Sequence, residues 1–262
     1  MQQFDYNNID VEYRNSEICI ISLARKPVNA LSTELLTDLN NIFLLLEKNK
    51  DLRIIILQSS LEHFSAGADL KQRSIMNEND SQLALDAFKD CFNTIESSTK
   101  ITICSIKGYC LGGGAEMSLC FDLRFASESA IVGFPEVSIG IIPGAGGTQR
   151  LPRIIGLSNA KYWIYSAEKF SGKECLKYNF VNFLTENDKL EHFTLKIANQ
   201  IIQNSPIGVK CSKLAIDKGY GKSIEEGLLI ERDEYNKSVT SEDRNEALKA
   251  FIEKRKPKWR NK

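Results

Sequence analysis

The sequence predicts an α/β protein with a largely parallel sheet and a helical C-terminal region. Apolar strand-like runs alternate with amphipathic helical segments between residues 18 and 134, and such alternation implies right-handed crossovers between parallel strands. The run Ile54–Leu57 is continuously apolar, as expected of a strand buried on both faces. After about residue 185 only helical patterns remain. We therefore expect an α/β core over residues 1–185 and a helical region over residues 186–262.

The first elements of the core follow from their apolar patterns. Strands are expected over Ile18–Leu23 and Ile101–Ile106. Ser32 is a candidate cap for a helix whose apolar residues recur at helical spacing. These residues are Leu35, Leu36, Leu39, Ile42, Phe43 and Leu46. A second helix follows Ile54–Leu57 and carries an apolar face of its own, made of Ala84, Ala87, Phe88, Cys91, Phe92 and Ile95.

Shorter elements complete the prediction. A helix is expected from about Gly113 to Cys120, followed by strands near Leu123–Ala126 and Ala130–Phe134. In the C-terminal region, Ser205-Pro206 and Gly219-Tyr220-Gly221 interrupt the helical patterns. Those patterns cover residues 188–203, 207–218, 223–238 and 241–256.

Composition and charge exclude several classes of protein. The chain has 262 residues, of which 42% are apolar and 26% charged, as is typical of a globular protein with a sizeable core. Its 34 basic residues balance its 34 acidic ones, so no electrostatic case exists for nucleic acid binding. The basic cluster Lys254–Arg260 is interpreted as a solvated helix end, where cations complement the helix dipole.

Cysteine and histidine usage limits the available chemistry. The seven cysteines form no CxxC pair, and their odd number predicts free thiols in a reducing compartment. With only two histidines, a histidine-rich metal site is excluded. No run approaches the roughly twenty apolar residues of a membrane span, and the polar N-terminus lacks a leader pattern. We expect a cytoplasmic protein without a membrane partner, or one of the mitochondrial matrix if a leader was removed.

Two glycine-containing loops follow buried strands. The segment Phe64–Lys71 is rich in small residues, so the backbone N–H of Ala68 is a candidate donor to a carbonyl oxygen. Taken alone, such a segment is more often a strand-to-helix connection that needs glycine for its dihedral angles. The segment Gly108–Glu116 opens a helix, whose free N–H groups and dipole suit a developing oxyanion. Met117 breaks the dinucleotide-binding pattern GxGxxG, and no P-loop or GxSxG motif is present.

Two glutamates stand twenty residues apart, each just beyond a chain-reversing element. Glu116 is flanked by Ala115 and Met117, and Glu136 by Pro135 and Val137. Carboxyl groups among apolar neighbours are expected to be buried, and burial raises their pKa toward the range useful for proton transfer. The pair therefore indicates acid/base chemistry on a substrate held by backbone donors.

With these motifs in view, the sequence closely resembles the enoyl-CoA hydratase/isomerase (crotonase) family over nearly its whole length. The resemblance rests on the order and spacing of Pro27–Leu31, Phe64–Lys71, Gly108–Glu116, Phe134–Glu136, Ile142–Leu151 and Phe251–Arg255. It implies a crotonase-like ββα spiral core with a C-terminal helical trimerisation region. It also implies homo-oligomers, either trimers or dimers of trimers.

The resemblance also implies roles for individual residues. The N–H groups of Ala68 and Gly113 match the oxyanion hole for a thioester carbonyl. Glu116 and Glu136 match the two catalytic carboxylates of hydratases, and Gly144 matches a backbone position that orients the water.

Other positions match those at which the family binds coenzyme A. They are Lys26, Val28, Ala30, Ala66, Lys71, Phe251 and Lys254. The last two correspond to tail positions that reach the CoA of a neighbouring subunit. The first motif departs from the family, which often places three residues between its proline and asparagine, whereas only Val28 separates Pro27 from Asn29 here.

The resemblance favours an enoyl-CoA hydratase of fatty acid β-oxidation, which adds water to a 2-enoyl-CoA to give a 3-hydroxyacyl-CoA. No metal or redox cofactor is expected, since coenzyme A is part of the substrate. A Δ3,Δ2-enoyl-CoA isomerase would need only the equivalent of Glu136. The stretches Leu151–Gly156 and Ser241–Arg244 are similar to methylglutaconyl-CoA hydratases.

An RNA-binding relative is the non-enzyme alternative. It would need a basic stripe on the helix around residues 32–50. That segment contains Lys48 and Lys50, but also Glu34, Asp38 and Glu47, which argue against RNA as a partner.

Overall fold

A computed structural model of the chain describes residues 6–262. These residues form two compact units. The first comprises residues 6–98 and 102–194, and the second residues 99–101 and 195–262.

In the part of the chain that the structure describes, the strands form a six-stranded and a three-stranded sheet. The larger sheet contains, in spatial order, β1 (Ile9–Tyr13), β2 (Ile18–Leu23), β3 (Ile54–Ser59), β4 (Ile101–Ile106), β6 (Leu123–Ser127) and β9 (Phe183–Thr185). The smaller one contains β5 (Tyr109–Leu111), β7 (Ile131–Gly133) and β8 (Lys169–Ser171). Strands β2–β3, β4–β6 and β6–β9 pair in parallel, while β1–β2 is antiparallel. The predicted parallel pairing is confirmed for β2–β3 and β4–β6, whose strands were all predicted.

Eleven α-helices lie within residues 6–262. They are α1 (Thr33–Glu47), α2 (Leu70–Arg73), α3 (Glu78–Glu96), α4 (Gly113–Ser118), α5 (Gly147–Ile155), α6 (Leu157–Ser166), α7 (Gly172–Lys177), α8 (Leu190–Ile202), α9 (Pro206–Gly219), α10 (Ile224–Val239) and α11 (Glu242–Ile252). Short 3-10 helices span Pro135–Ile139 and Asn187–Lys189. Ser32 caps α1 by accepting from Leu35 N, as predicted. The apolar residues predicted for α1 are all buried, and those predicted for α3 are buried except Ala87, which is half-buried.

The core of the first unit is apolar and densely aromatic. Ile54, Ile55, Ile56 and Leu57 of β3 are at most 1% exposed, as a strand lying between β2 and β4 requires. Trp163 stacks on Phe170 with ring centroids 4.0 Å apart. The seven cysteines, all within the described residues, are free and buried.

The second unit is helical. Ser205, Ser223 and Ser241 cap α9, α10 and α11. Helix α11 ends at Ile252, earlier than predicted, because Lys254 adopts a left-handed φ of 53°. Within the basic tail, Arg255 pairs with Glu246 at 2.6 Å. None of the helices in the described part of the chain has the length and hydrophobicity that a membrane span requires.

Candidate active site

The first candidate donor is the N–H of Ala68, in the loop that follows β3. Leu31 N donates to Gly67 O (2.8 Å), and Asp69 N donates to Leu31 O (3.1 Å). Both bonds therefore flank Ala68, which pairs with Leu31 as an isolated parallel bridge. In such a pairing the N–H of the flanked residue points away from its partner strand. Within residues 6–262 no group accepts a hydrogen bond from Ala68 N–H, so this donor is available to a ligand.

The second candidate donor is the N–H of Gly113, the first residue of α4. The first N–H groups of a helix have no intrahelical acceptor, and no acceptor for this one is found among the described residues. Gly67, which has a φ of 93°, brings the two donors together. A Cβ at Gly67 would lie 3.3 Å from Gly113 N and 2.7 Å from Leu111 O. The loop that carries Ala68 therefore contacts the start of α4 directly.

Each of the three consecutive glycines avoids a different steric conflict. A Cβ at Gly112 would lie 3.1 Å from the Oε1 atom of Glu136. A Cβ at Gly113 would lie 2.8 Å from the Phe88 ring. A Cβ at Gly114 would lie 2.7 Å from the Ser65 Cβ. The glycine run thus lets α4 begin in contact with a carboxylate, an aromatic ring and the Ala68 loop.

Glu116 lies one turn into α4 and is 3% exposed. Its Oε1 accepts hydrogen bonds from Ala145 N and Gly147 N, each at 2.8 Å. Burial raises the pKa of the Glu116 carboxyl, while these bonds and the charge of Arg150 oppose that rise. The two N–H bonds therefore offset part of the cost of ionising this buried carboxyl.

The Gly144–Gly147 loop is held in place by Arg150. Its guanidinium donates to Ala145 O at 3.0 Å and to both carboxylate oxygens of Glu96 at 2.9 and 2.7 Å. Gly146 has a φ of 105°, which lets the chain turn into α5. The same arginine thus fixes the loop whose N–H groups contact Glu116.

Glu136 occupies the first turn of the 3-10 helix Pro135–Ile139 and is 8% exposed. Its Oε2 is buried and has no hydrogen-bond partner among the residues that the structure describes. Burial raises the pKa of Glu136 to about 7, and the negative charge of Glu116 contributes to the rise. An unsatisfied buried oxygen of this kind is rare in folded proteins, and it identifies Glu136 as a group prepared for a proton or a ligand.

Comparison with known proteins agrees with this geometry. A model of the family described as enoyl-CoA hydratase/isomerase matches residues 13–262. The chain belongs to this family.

Individual relatives match over almost the whole chain. The short-chain-enoyl-CoA hydratase of Clostridium acetobutylicum is 34% identical over 254 residues, which cover 96% of this chain and 97% of that protein. The mitochondrial methylglutaconyl-CoA hydratase of Mus musculus is 36% identical over 256 residues, which cover 95% of this chain and 82% of that protein. The crystal structure of the enoyl-CoA hydratase from Bacillus anthracis superposes with a TM-score of 0.95 at 40% identity, covering 98% of this chain and 100% of that one.

These comparisons confirm the predicted crotonase-like fold with its C-terminal helical region. As a member of the enoyl-CoA hydratase/isomerase family, the chain acts on acyl-CoA thioesters. The structure brings Ala68, Gly113, Glu116 and Glu136 together in the first unit. Gly144 lies next to the Glu116 donor Ala145 and is exposed.

Of the residues predicted to bind coenzyme A, those in the first unit come from two adjacent segments. Ala66 N donates to Val28 O at 2.9 Å, so the segment with Lys26, Val28 and Ala30 lies beside the one with Ala66 and Lys71. The side chains of Lys26 and Lys71 are exposed. Phe251 and Lys254 are exposed in the second unit.

The shortened first motif has a defined conformation. The Lys26-Pro27 peptide bond is cis, and Asn29 adopts a φ of 50°. The Asn29 side-chain amide donates to Ser59 Oγ, His63 O and Phe64 O. Asn29 thus ties this loop to the end of β3.

Sequence reasoning missed several residues that shape the site. The motif Gly144–Gly147 was noted for Gly144, yet the N–H groups of Ala145 and Gly147 contact Glu116. The sequence patterns do not mark Arg73, although its charge opposes the rise that burial causes in the pKa of both Glu116 and Glu136. The glycine run could have indicated the first of these interactions.

Proposed function

We propose that this protein is an enoyl-CoA hydratase, which adds water across the double bond of a 2-enoyl-CoA to give a 3-hydroxyacyl-CoA. The observation that carries the proposal is the pair Glu116 and Glu136, two buried carboxyls in contrasting environments beside two free N–H groups. A reaction that both removes a proton from water and delivers one to carbon needs two such groups.

The N–H groups of Ala68 and Gly113 receive the thioester oxygen in this scheme. Negative charge develops on that oxygen as water attacks C3, and donors already in position stabilise it without reorganisation. Each donor of this kind contributes about 3–4 kcal/mol to transition-state stabilisation. The contact of Gly67 with Gly113 supports the convergence of the two donors.

The contrasting surroundings of the glutamates support separate roles. Glu116, whose ionised form is stabilised by Ala145 N–H and Gly147 N–H, accepts the proton of the attacking water. Glu136, with a pKa raised to about 7, is substantially protonated near neutrality and delivers a proton to C2. Gly144, next to the Glu116 donors, helps to orient the water. Because the two glutamates interact, the apparent pKa values measured for the site describe the pair and not either residue alone.

This chemistry requires no metal or redox cofactor, since the thioester itself supplies the activation. Coenzyme A enters as part of the substrate, along the segments that contain Lys26, Val28, Ala30, Ala66 and Lys71. We also propose that the protein forms trimers or dimers of trimers, in which Phe251 and Lys254 serve the CoA of a neighbouring subunit. The 83% exposure of Phe251 is compatible with that role. The activity corresponds to the hydration step of fatty acid β-oxidation.

A direct assay tests the proposal. Purified protein is incubated with a trans-2-enoyl-CoA and, separately, with a 3-enoyl-CoA, and the products are separated chromatographically. We expect the 3-hydroxyacyl-CoA from the first substrate. Conversion of the 3-enoyl-CoA alone, with no hydration of the 2-enoyl-CoA, would instead identify an isomerase.

A further inference from the structure

The site contains a cation that the proposed hydration does not use. Arg73 ends α2, five residues after Ala68. Its side chain is half-buried, and its guanidinium forms no ion pair or hydrogen bond with any residue in the described part of the chain. The charges of Glu116 and Glu136 act on this guanidinium only at longer range. Its N–H donors are therefore available to an anion from outside the chain.

The guanidinium of Arg73 lies close to the backbone donor that is proposed to bind the thioester oxygen. The Arg73 Cζ lies over the Phe88 ring, 5.4 Å from its centroid. The same ring also contacts Gly113, where a Cβ would lie 2.8 Å from Phe88 Cε1. The cation and the backbone donor proposed to hold the thioester oxygen therefore both lie against the Phe88 ring, close enough for a few carbon atoms of an acyl chain to connect them.

Two of the side chains around Phe88 and the Gly144 loop are apolar. Leu31 approaches Gly113 beside Phe88, with its Cδ1 atom 3.5 Å from the position of a Gly113 Cβ. Leu85, one turn before Phe88 on α3, has its Cδ2 atom 3.9 Å from the position of a Gly144 Cβ. An alkyl chain placed here would desolvate Arg73 further without pairing it, whereas a chain ending in a carboxylate would supply the missing partner.

We propose that Arg73 determines substrate specificity by binding a carboxylate on the acyl chain, so that the preferred substrates are 2-enoyl-CoA thioesters with a second, distal carboxylate. The guanidinium offers a planar pair of N–H donors that match a carboxylate in bidentate fashion. Sites built to pair a polar substrate group discriminate strongly against analogues that lack it. The inference rests on the proposed hydratase function for its chemistry, but the binding preference can be measured without turnover.

The test compares two matched substrates. Glutaconyl-CoA ends in a carboxylate, and a 2-enoyl-CoA of the same length that ends in an isopropyl group is its neutral isostere. We expect the wild-type kcat/KM to be at least about tenfold higher for glutaconyl-CoA. Arg73→Met should lower this ratio by about 10–100-fold, the range of one lost charge-assisted pair. Arg73→Lys should retain part of the preference, because the charge remains while the bidentate geometry is lost.

The specificity ratio separates this role from others that Arg73 could serve. Arg73 also acts electrostatically on Glu116 and Glu136, and that effect is common to both substrates, as would be any contact with coenzyme A. An equal loss for both substrates in Arg73→Met, or a wild-type preference for the isopropyl chain, would overturn the proposal. Lys89→Met removes an exposed cation next to Phe88 on α3 and should leave the ratio unchanged.

Binding of saturated analogues distinguishes failure of this inference from failure of the proposed function. Glutaryl-CoA and its isopropyl-ended isostere cannot be hydrated, and their dissociation constants are measured by calorimetry with wild type and both Arg73 variants. If the wild type hydrates no enoyl-CoA, the hydratase proposal fails, while an Arg73-dependent preference for glutaryl-CoA still supports the carboxylate site. Equal binding of the two analogues by wild type would refute the site whether or not hydration occurs.

Discussion

The surroundings of Glu116 and Glu136 differ although both side chains are buried in the same unit. Glu116 faces two backbone N–H groups supplied by a loop that Arg150 holds in place. Glu136 lies against the backbone of Gly112, and its buried Oε2 has no hydrogen-bond partner among the described residues. The fold thus offsets part of the cost of ionising one carboxyl and leaves the other without such bonds, so backbone placement gives two identical side chains different environments.

The largest expected effect is on catalysis. Glu116→Gln and Glu136→Gln each remove a proton-transfer group while keeping its shape, and we expect kcat to fall by about 10³-fold in both. Circular dichroism should show an unchanged fold. Hydration at near-normal rates by both single variants would end the acid/base assignment.

The pH dependence of kcat/KM should show that Glu136 acts in its protonated form and Glu116 in its ionised form. Glu136 must be protonated to act as an acid, and its pKa is raised to about 7. We therefore expect activity to fall about tenfold per pH unit above an apparent pKa near 7. On the acid side it should fall once Glu116 is protonated. A rate that is flat from neutral to alkaline pH would contradict the assignment of Glu136 as the acid.

The coupling between the glutamates can be measured separately from activity. Because the charge of Glu116 raises the pKa of Glu136, Glu116→Gln should move the titration of Glu136 to lower pH. Difference infrared spectroscopy of the protonated carboxyl band follows this titration. As a matched control, Glu62→Gln removes an exposed carboxylate of the same unit and should not shift it.

The smallest expected effect is on stability. A carboxyl whose folded-state pKa lies above its unfolded value of about 4.3 favours folding while it is protonated. This stabilisation is lost as pH rises from about 4.3 through 7, and the ionised group then disfavours the folded state. Glu136→Gln should therefore increase the free energy of unfolding by about 1–2 kcal/mol at pH 8, with little gain at pH 4, as measured by urea titration at fixed protein concentration. Glu116→Gln should gain less, since its charge is already stabilised by two N–H groups. A larger increase in the free energy of unfolding for Glu116→Gln than for Glu136→Gln would contradict this difference between their surroundings.

Much of this protein followed from sequence because the relevant signals are local. The apolar spacing of α1 and α3, the buried run in β3 and the cap at Ser32 each depend on residues a few positions apart. The same holds for the glycine loops and for the two glutamates set among apolar neighbours. Strands β1, β5, β8 and β9 were not predicted. The last two are three residues long, and their hydrogen bonds come from partners distant in the chain.

Sequence alone determined which backbone and carboxyl groups could perform the chemistry, through residue type and short-range pattern. Only the tertiary structure decided that Glu116 receives N–H groups from a loop about thirty residues away, that Glu136 receives none, and that Arg73 lies over Phe88 without a partner. Solvation and charge in a protein depend on every group within several ångströms, and chain folding, not sequence proximity, selects those groups.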